Sequence, residues 1–284
     1  MQTDSSEKTP SIIKASGERE PFSREKLAGS LRNAGANEKN ISYVLEKIDS
    51  WIRDGVTTKK LYNKAFALLR SLRRADAARY SLKKAIMELG PTGYPFEHLI
   101  GQLLSHQGFR VEVGQMVQGQ CVDHEVDVIA TANNKQYFVE CKYFNSQGKQ
   151  ANVQVPLYIR SRVDDIVRKR ESLPGFKDYS FYGWVITNTR FTEDAEVYGK
   201  CAGLTLIGWD YPKGHSLKEM IEQNGFFPVT VLTNLTKQQK HTLLEKGIVL
   251  CRQIDSKPGL LDQLDLKEAK KRKVTEEIGD LCSR

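Results

Sequence analysis

Glu125-Val126-Asp127-Val128-Ile129-Ala130-Thr131-Ala132-Asn133-Asn134-Lys135-Gln136-Tyr137-Phe138-Val139-Glu140-Cys141-Lys142 is the stretch from which the rest of the chain can be organised. Residues 125–130 and 136–143 are rich in β-branched and aromatic side chains and read as two strands. Asn133-Asn134 between them suits a two-residue hairpin turn, because Asn tolerates positive φ. If Ala132 then faces Lys135, Asp127 falls opposite Glu140 and Glu125 opposite Lys142. Side chains two apart share a face, so Lys142 lies beside Glu140. Val139, Cys141 and Tyr143 cover the other face, and Phe138 shares the charged one.

Two facing carboxylates repel and cost stability. A divalent cation between them turns the repulsion into binding energy, and hard oxygen ligands suit Mg²⁺ or Mn²⁺. Such an ion neutralises a phosphodiester and acidifies a bound water, while a neighbouring ammonium orients that water. The competing reading is a solvated polar strand face with no ligand. The spacing alone leaves both open.

Asp127, then twelve residues, then Glu140-Cys141-Lys142 resembles the core motif of the PD-(D/E)XK nucleases, specifically the Mrr-like restriction endonucleases. Val126 stands where the family label has Pro. The resemblance spans about residues 91–213 and implies a mixed α/β sheet of restriction-endonuclease type. The sequence supplies matching elements in order. Tyr94 through Leu104 has a helical stripe with Pro95 in its first turn. Residues 108–113 read as a strand before the hairpin. A helix over 156–171 carries Ile159, Val163, Ile166 and Val167. Strands at 182–187 and 204–209 flank a helix over 192–202. The resemblance implies Asp127 and Glu140 as metal ligands and Lys142 as the residue assisting water attack. It adds Glu97 from the first helix as a further catalytic and metal residue, against a plain first-turn glutamate favoured by the helix dipole. Gln154 matches a polar residue that some relatives place at the second helix, against a loop glutamine. Arg160, Arg162, Arg168, Lys169 and Arg170 read as phosphate contacts or as a solvated face.

The first 10 residues are polar and read as a disordered tail. Ile12-Ile13-Lys14 and Arg19-Glu20-Pro21-Phe22 then flank a turn at Ala15-Ser16-Gly17-Glu18. Apolar stripes predict helices from the Ser23 cap to about 34, then over 38–53, 58–73 and 75–89, with Gly90 as the stop. A hairpin on four helices over residues 11–90 resembles the ATP-cone, the nucleotide-sensing module of ribonucleotide reductases and their repressors. The resemblance implies ATP or dATP as a bound effector, held by Lys14, Glu20 and Lys26. Lys14-Ala15-Ser16-Gly17-Glu18 departs from the family's more basic hairpin, which removes one phosphate contact.

Residues 1–90 carry 18 Lys/Arg against 11 Asp/Glu, and residues 91–284 carry 25 against 24, so nearly all of the net +8 lies in the N-terminal part. That suits a polyphosphate or a DNA backbone. Residues 214–284 read as a small helical region, with a helix, Gly247-Ile248 turn and helix similar to a helix-hairpin-helix DNA-binding element. Lys270-Lys271-Arg272-Lys273 adds a basic run. Five cysteines form no C-x-x-C pair, which argues against zinc, and there is no phosphate-loop motor motif. No apolar run spans a membrane and no signal peptide is present, so a cytoplasmic protein is expected. The sequence thus points to a Mg²⁺-dependent DNA endonuclease with an adenine-nucleotide-sensing N-terminal domain. The alternative is a non-catalytic nucleotide-sensing DNA-binding regulator on a nuclease scaffold. Homo-oligomerisation is left open.

Overall fold

In this computed structural model, residues 9–146 and 148–282 are described. Most of the expected disordered tail therefore lies outside the described residues. The chain forms two compact units, divided after Leu82.

In the first unit, β1 (Ser11–Ile13) pairs antiparallel with β2 (Arg19–Pro21). Helices α1 (Arg24–Asn33), α2 (Glu38–Trp51), α3 (Thr58–Leu72) and α4 (Arg74–Tyr80) follow. Three of these starts are set by side-chain caps, with Ser23, Asn37 and Thr57 each accepting a backbone N–H. Their apolar stripes meet in one core around Leu31, Val44, Ile48, Ala65 and Leu69. The hairpin and helices match the sequence expectation. A third strand does not: β3 (Val56–Thr57) runs parallel to β1 and completes a sheet in the order β2-β1-β3. Two residues are too few for any periodicity to betray them. The positive φ of Gly55, 79°, turns the chain so that its N–H reaches the Ser11 carbonyl. The helix expected over 75–89 is broken at Ser81, where α5 (Leu82–Met87) takes over.

Helix α5 enters the second unit and is tied into it by hydrogen bonds. The Tyr143 hydroxyl donates to the carbonyls of Ile86 and Met87, and the Thr230 hydroxyl to that of Ala85. These bonds hold residues 85–87 against the segments around Tyr143 and Thr230.

The second unit is built on a mixed five-stranded sheet, consistent with the α/β architecture expected. Its strands are β4 (Arg110–Gln118), β5 (Asp123–Ala132), β6 (Lys135–Lys142), β8 (Ser180–Thr187) and β10 (Thr205–Ile207). Their order is β10-β8-β6-β5-β4, antiparallel through β4, β5 and β6 and parallel through β6, β8 and β10. The parallel pairs require crossovers, supplied by α7 (Gln154–Glu171) and α8 (Glu193–Cys201). Between them β7 (Gln150–Ala151) pairs with β9 (Arg190–Phe191). Helix α6 (Tyr94–His106) packs on β4 and β5 so closely that a Cβ on Gly101 would meet Val113 at 2.9 Å. On the other face, Ile159, Val163 and Ile166 of α7 join Ile129, Phe138 and Val185.

The alternation of β4 and β5 changes phase part-way. Val111 and Val113 face α6, yet Val117 and Val126 belong to the α7 cluster with Ile129. The change falls where Gly114, with φ 63°, stands across from Asp127, the one position both strands skip in the ladder. An L-residue rarely adopts that φ, so a glycine is what the kink needs.

The C-terminal segment folds into this same unit rather than standing apart. It comprises α9 (Leu217–Asn224), α10 (Lys237–Glu245), α11 (Cys251–Ser256) and α12 (Glu268–Cys282). The buried Glu277 of α12 accepts N–H groups from Thr233 and Asn234 at 2.7 and 3.2 Å. The expected basic run lies in α12, where Lys271 is paired with Asp262 and Glu268.

Candidate active site

The hairpin turn is as the sequence predicts. Asn133 and Asn134 have φ of 51° and 56°, and the register runs from Ala132–Lys135 to Val128–Val139. There it stops. Asp127 and Glu140 do not form the expected ladder pair, nor do Glu125 and Lys142, and Glu125 instead faces Met116 of β4. The strands part at the phase change, and the Asp127 carboxylate itself accepts the Cys141 N–H at 2.7 Å. A side chain thus takes the place of a ladder carbonyl.

Parting the strands gathers charge from both faces of the sheet. Burial first, then the charges of Glu140 and Glu97, push the Asp127 carboxyl up to about 7, against the Cys141 N–H and Arg162. Burial, Glu125 and Glu140 also raise Glu97. Glu140 and Glu97 thus bear on Asp127, and Glu140 on Glu97, although the three come from a kink, a strand and a helix. Glu140 is held by Arg162 of α7 at 2.7 Å, with each side chain less than a fifth exposed. Beside Glu140 opens a cavity of about 380 Å³, lined among others by Lys142, Gln150, Asn152, Gln154 and Tyr158. Lys142 and Gln154 thus line one cavity with Glu140, and Gln154 is the first residue of α7. Asn188 was not foreseen. It is buried in the loop after β8, and its amide both donates to and accepts from the backbone of Phe144, fixing the chain just beyond Lys142. No local pattern marks such a residue.

Carboxylate oxygens gathered in this way are a hard donor set that fits Mg²⁺ or Mn²⁺ in chemistry. Among the described residues no group of three His, Cys, Asp or Glu is already arranged around one point for a metal ion. The reason is visible in the contacts: Glu140 is turned to a guanidinium and Asp127 to a backbone N–H.

The basic face expected of α7 is largely spent on the protein itself. Arg160 pairs with Asp164 and donates to the Ala202 carbonyl, Arg162 holds Glu140, and Arg170 lies over Phe176. Asp165 of α7 clamps the β4–β5 loop, accepting from the N–H groups of Cys121 and Val122 and pairing with His124 at 2.8 Å. The His124 bond, followed by those loop contacts, holds the Asp165 carboxyl down to about 2.

In the first unit, Lys14, Glu20 and Lys26 do come together. Lys14 lies 2.9 Å and Lys26 3.7 Å from the Glu20 carboxylate. Hydrogen bonds that Lys14 donates to Glu20 and then Glu18 raise Lys14, and the same Lys14 bond lowers Glu20. Glu18, the residue that departs from the more basic hairpin, lies 3.1 Å from Lys14.

A mixed sheet whose parted antiparallel strands carry Asp127 and Glu140-Cys141-Lys142 defines the class. Residues 90–221 match the restriction endonuclease family, which points to a nuclease, and residues 227–282 match the family described as AF1548-like, C-terminal. The chain is 31% identical over 157 residues to an uncharacterized protein of Archaeoglobus fulgidus, covering 55% of this chain and 84% of that one. The chain belongs to the same family as that protein. The crystal structure of AF1548, a protein of unknown function, superposes with TM-score 0.55 at 29% identity over 68% of this chain and 99% of that chain. The MspJI restriction endonuclease, solved with a 27-mer oligonucleotide, gives a TM-score of 0.30 at 12% identity over 71% of this chain and 39% of its own. That superposition is too loose to bear on function. No helix among the described residues is long and apolar enough to cross a membrane.

Proposed function

We propose that this protein is a divalent-metal-dependent DNA endonuclease whose site is Asp127, Glu140, Glu97 and Lys142. The observation that carries the reading is the crowding of Asp127 by Glu140 and Glu97 at the point where β5 and β6 part, beside Lys142 and an open polar cavity. Such crowding is costly in a resting protein and is common where function requires it. Asp127 and Glu140 are the residues to hold Mg²⁺ or Mn²⁺, with Glu97 adding an oxygen. The bound ion supplies charge neutralisation and an acidified water. Lys142 holds that water's proton network and the developing charge on the phosphate. The backbone N–H of Cys141 keeps the Asp127 carboxylate aimed into the site.

Residues 91–213 then form the nuclease domain and 214–284 a C-terminal helical segment. There the α10–α11 helix pair around Gly247 is the element to face DNA, in the manner of a helix-hairpin-helix. The N-terminal unit is read as an ATP-cone-like sensor of ATP or dATP. Its support is the gathering of Lys14, Glu20 and Lys26 on one hairpin–helix edge. Incubating plasmid DNA with the purified protein tests the nuclease reading. Cleavage with Mg²⁺ or Mn²⁺ that stops with chelator is expected. DNA binding without cleavage under any divalent ion would favour the non-catalytic regulator.

A further inference from the structure

Arg162 has a role in this site beyond packing, and the contacts around it say which. Its Nη1 donates to Glu140 at 2.7 Å, and its Nη2 lies 3.3 Å from the Tyr158 hydroxyl. The guanidinium carbon stands 4.8 Å from the centre of the Tyr158 ring. Its Nε, buried, has no hydrogen-bond partner. A guanidinium with an unspent donor, held on Glu140 within the field of Asp127, is a fork awaiting a second anion. Planar two-oxygen anions such as phosphate are what that fork fits. Glu140 and Tyr158 both line the cavity beside Lys142, so the anion has room at the same place.

The pairing also sets a conflict. The Glu140 oxygen that accepts from Arg162 at 2.7 Å is spent, and a divalent ion on the other oxygen would stand against the guanidinium's own positive charge. That repulsion favours release of Arg162 when the ion enters. Tyr158 is 61% exposed and offers its ring as a platform on which the guanidinium can turn without leaving the site.

We propose that Arg162 is a phosphate-binding residue of this site, parked on Glu140 until a divalent cation takes that carboxylate, whereupon it turns to a phosphate oxygen of the DNA. The proposal rests on the nuclease reading above. Arg162 then offsets part of the metal-free site's negative charge and couples metal entry to substrate grip. A metal-bound protein presents a free fork, and a metal-free one does not. Because the ligand that displaces Arg162 and the ligand it then binds carry opposite charge, each strengthens the other.

Calorimetric titration of the full chain with Mn²⁺ alone, in the absence of DNA, tests the first half. Removing the competing guanidinium in Arg162→Met is expected to tighten Mn²⁺ binding on the order of tenfold. Single-turnover plasmid cleavage under saturating Mn²⁺ tests the second half, and the same variant is expected to lose at least about tenfold. Arg162→Lys keeps the charge without the fork, and should show a smaller gain in Mn²⁺ affinity and partial cleavage. It also carries the test if the Met variant fails to fold. Unchanged or weaker Mn²⁺ binding in a folded variant overturns the proposal, and so does unchanged cleavage. If the wild type binds Mn²⁺ and Asp127→Asn abolishes that binding, such a failure belongs to Arg162 alone. If the wild type takes up no Mn²⁺, the nuclease reading falls and this proposal with it.

Discussion

Two clusters of mixed charge, one around Glu140 and one around Glu20, are built on opposite terms. Around Glu140, four carboxylates at residues 97, 125, 127 and 140 meet Arg162 and Lys142, with the Glu140–Arg162 pair largely withdrawn from water. Around Glu20 in the first unit, Lys14 and Lys26 lie on the surface, and the lysines are 36% and 75% exposed. Asp127 and Glu97, half-buried in the first cluster, carry its crowding as raised proton affinity. The exposed cluster is screened, and its ion pairs contribute little to folding. Excess charge kept at a cost marks a place where an ion of opposite sign is expected. Charge placed freely in water marks at most a place where one can land.

The widest gap between the clusters should appear in activity. Asp127→Ala, Glu140→Ala and Lys142→Ala should each lower Mg²⁺-dependent plasmid cleavage by at least about a hundredfold, with the far-ultraviolet dichroism unchanged. Full cleavage by the Glu140 variant would erase the contrast at its root.

The surroundings of the buried cluster should be next in sensitivity. A Cβ on Gly119 would lie 2.1 Å from the Asp165 carboxylate and 2.5 Å from the Val122 carbonyl. Gly119→Ala should therefore break the clamp of α7 on the β4–β5 loop and cost on the order of 3 kcal/mol in chemical denaturation. A variant as stable as the wild type would show the loop to be loosely held.

Titration offers a finer comparison. The folded value of Asp127, about 7, lies above the ordinary 3.8, so the folded form binds the proton more tightly than the unfolded form. The stability this gives is complete below pH 4 and is lost as pH rises through 7. In chelator, Asp127→Asn should thus stabilise the protein relative to wild type at pH 8, by on the order of 3 kcal/mol, and hardly at all at pH 4. Equal differences at both pH values would refute the raised carboxyl.

Smallest of all should be the response of the exposed cluster. Lys14→Ala should leave the melting temperature unchanged within scatter while weakening ATP or dATP binding by the N-terminal unit, measured calorimetrically on the full chain. A marked drop in stability would mean that the hairpin charges are structural after all.

Much of this was legible because the signals were local. Period-two alternation, two Asn residues and a Pro-led helical stripe sufficed for the hairpin and for α6, and Ser23 for the start of α1. What escaped depends on distant partners. The pairing of Arg162 with Glu140 joins the crossover helix to β6, and one basic residue among five on α7 gives no sign of it. Asn188 is a single polar residue between strand and bridge. The β3 strand is two residues long. The stopped register at Asp127 depends on a glycine in a different strand, which a reading of β5 and β6 alone does not include.

That glycine has a bearing on how the chain finds its fold. A hairpin of uniform alternation can slide by two residues and keep every side chain on its own face. The β4–β5 pair cannot, because its faces exchange at Gly114 and Asp127 together. Any slip leaves one kink without the other and turns Val117 or Val126 outward. Misregistered hairpins are therefore penalised from the first contacts onward. Asp127, the residue on which the site turns, is also the mark by which the two strands are aligned.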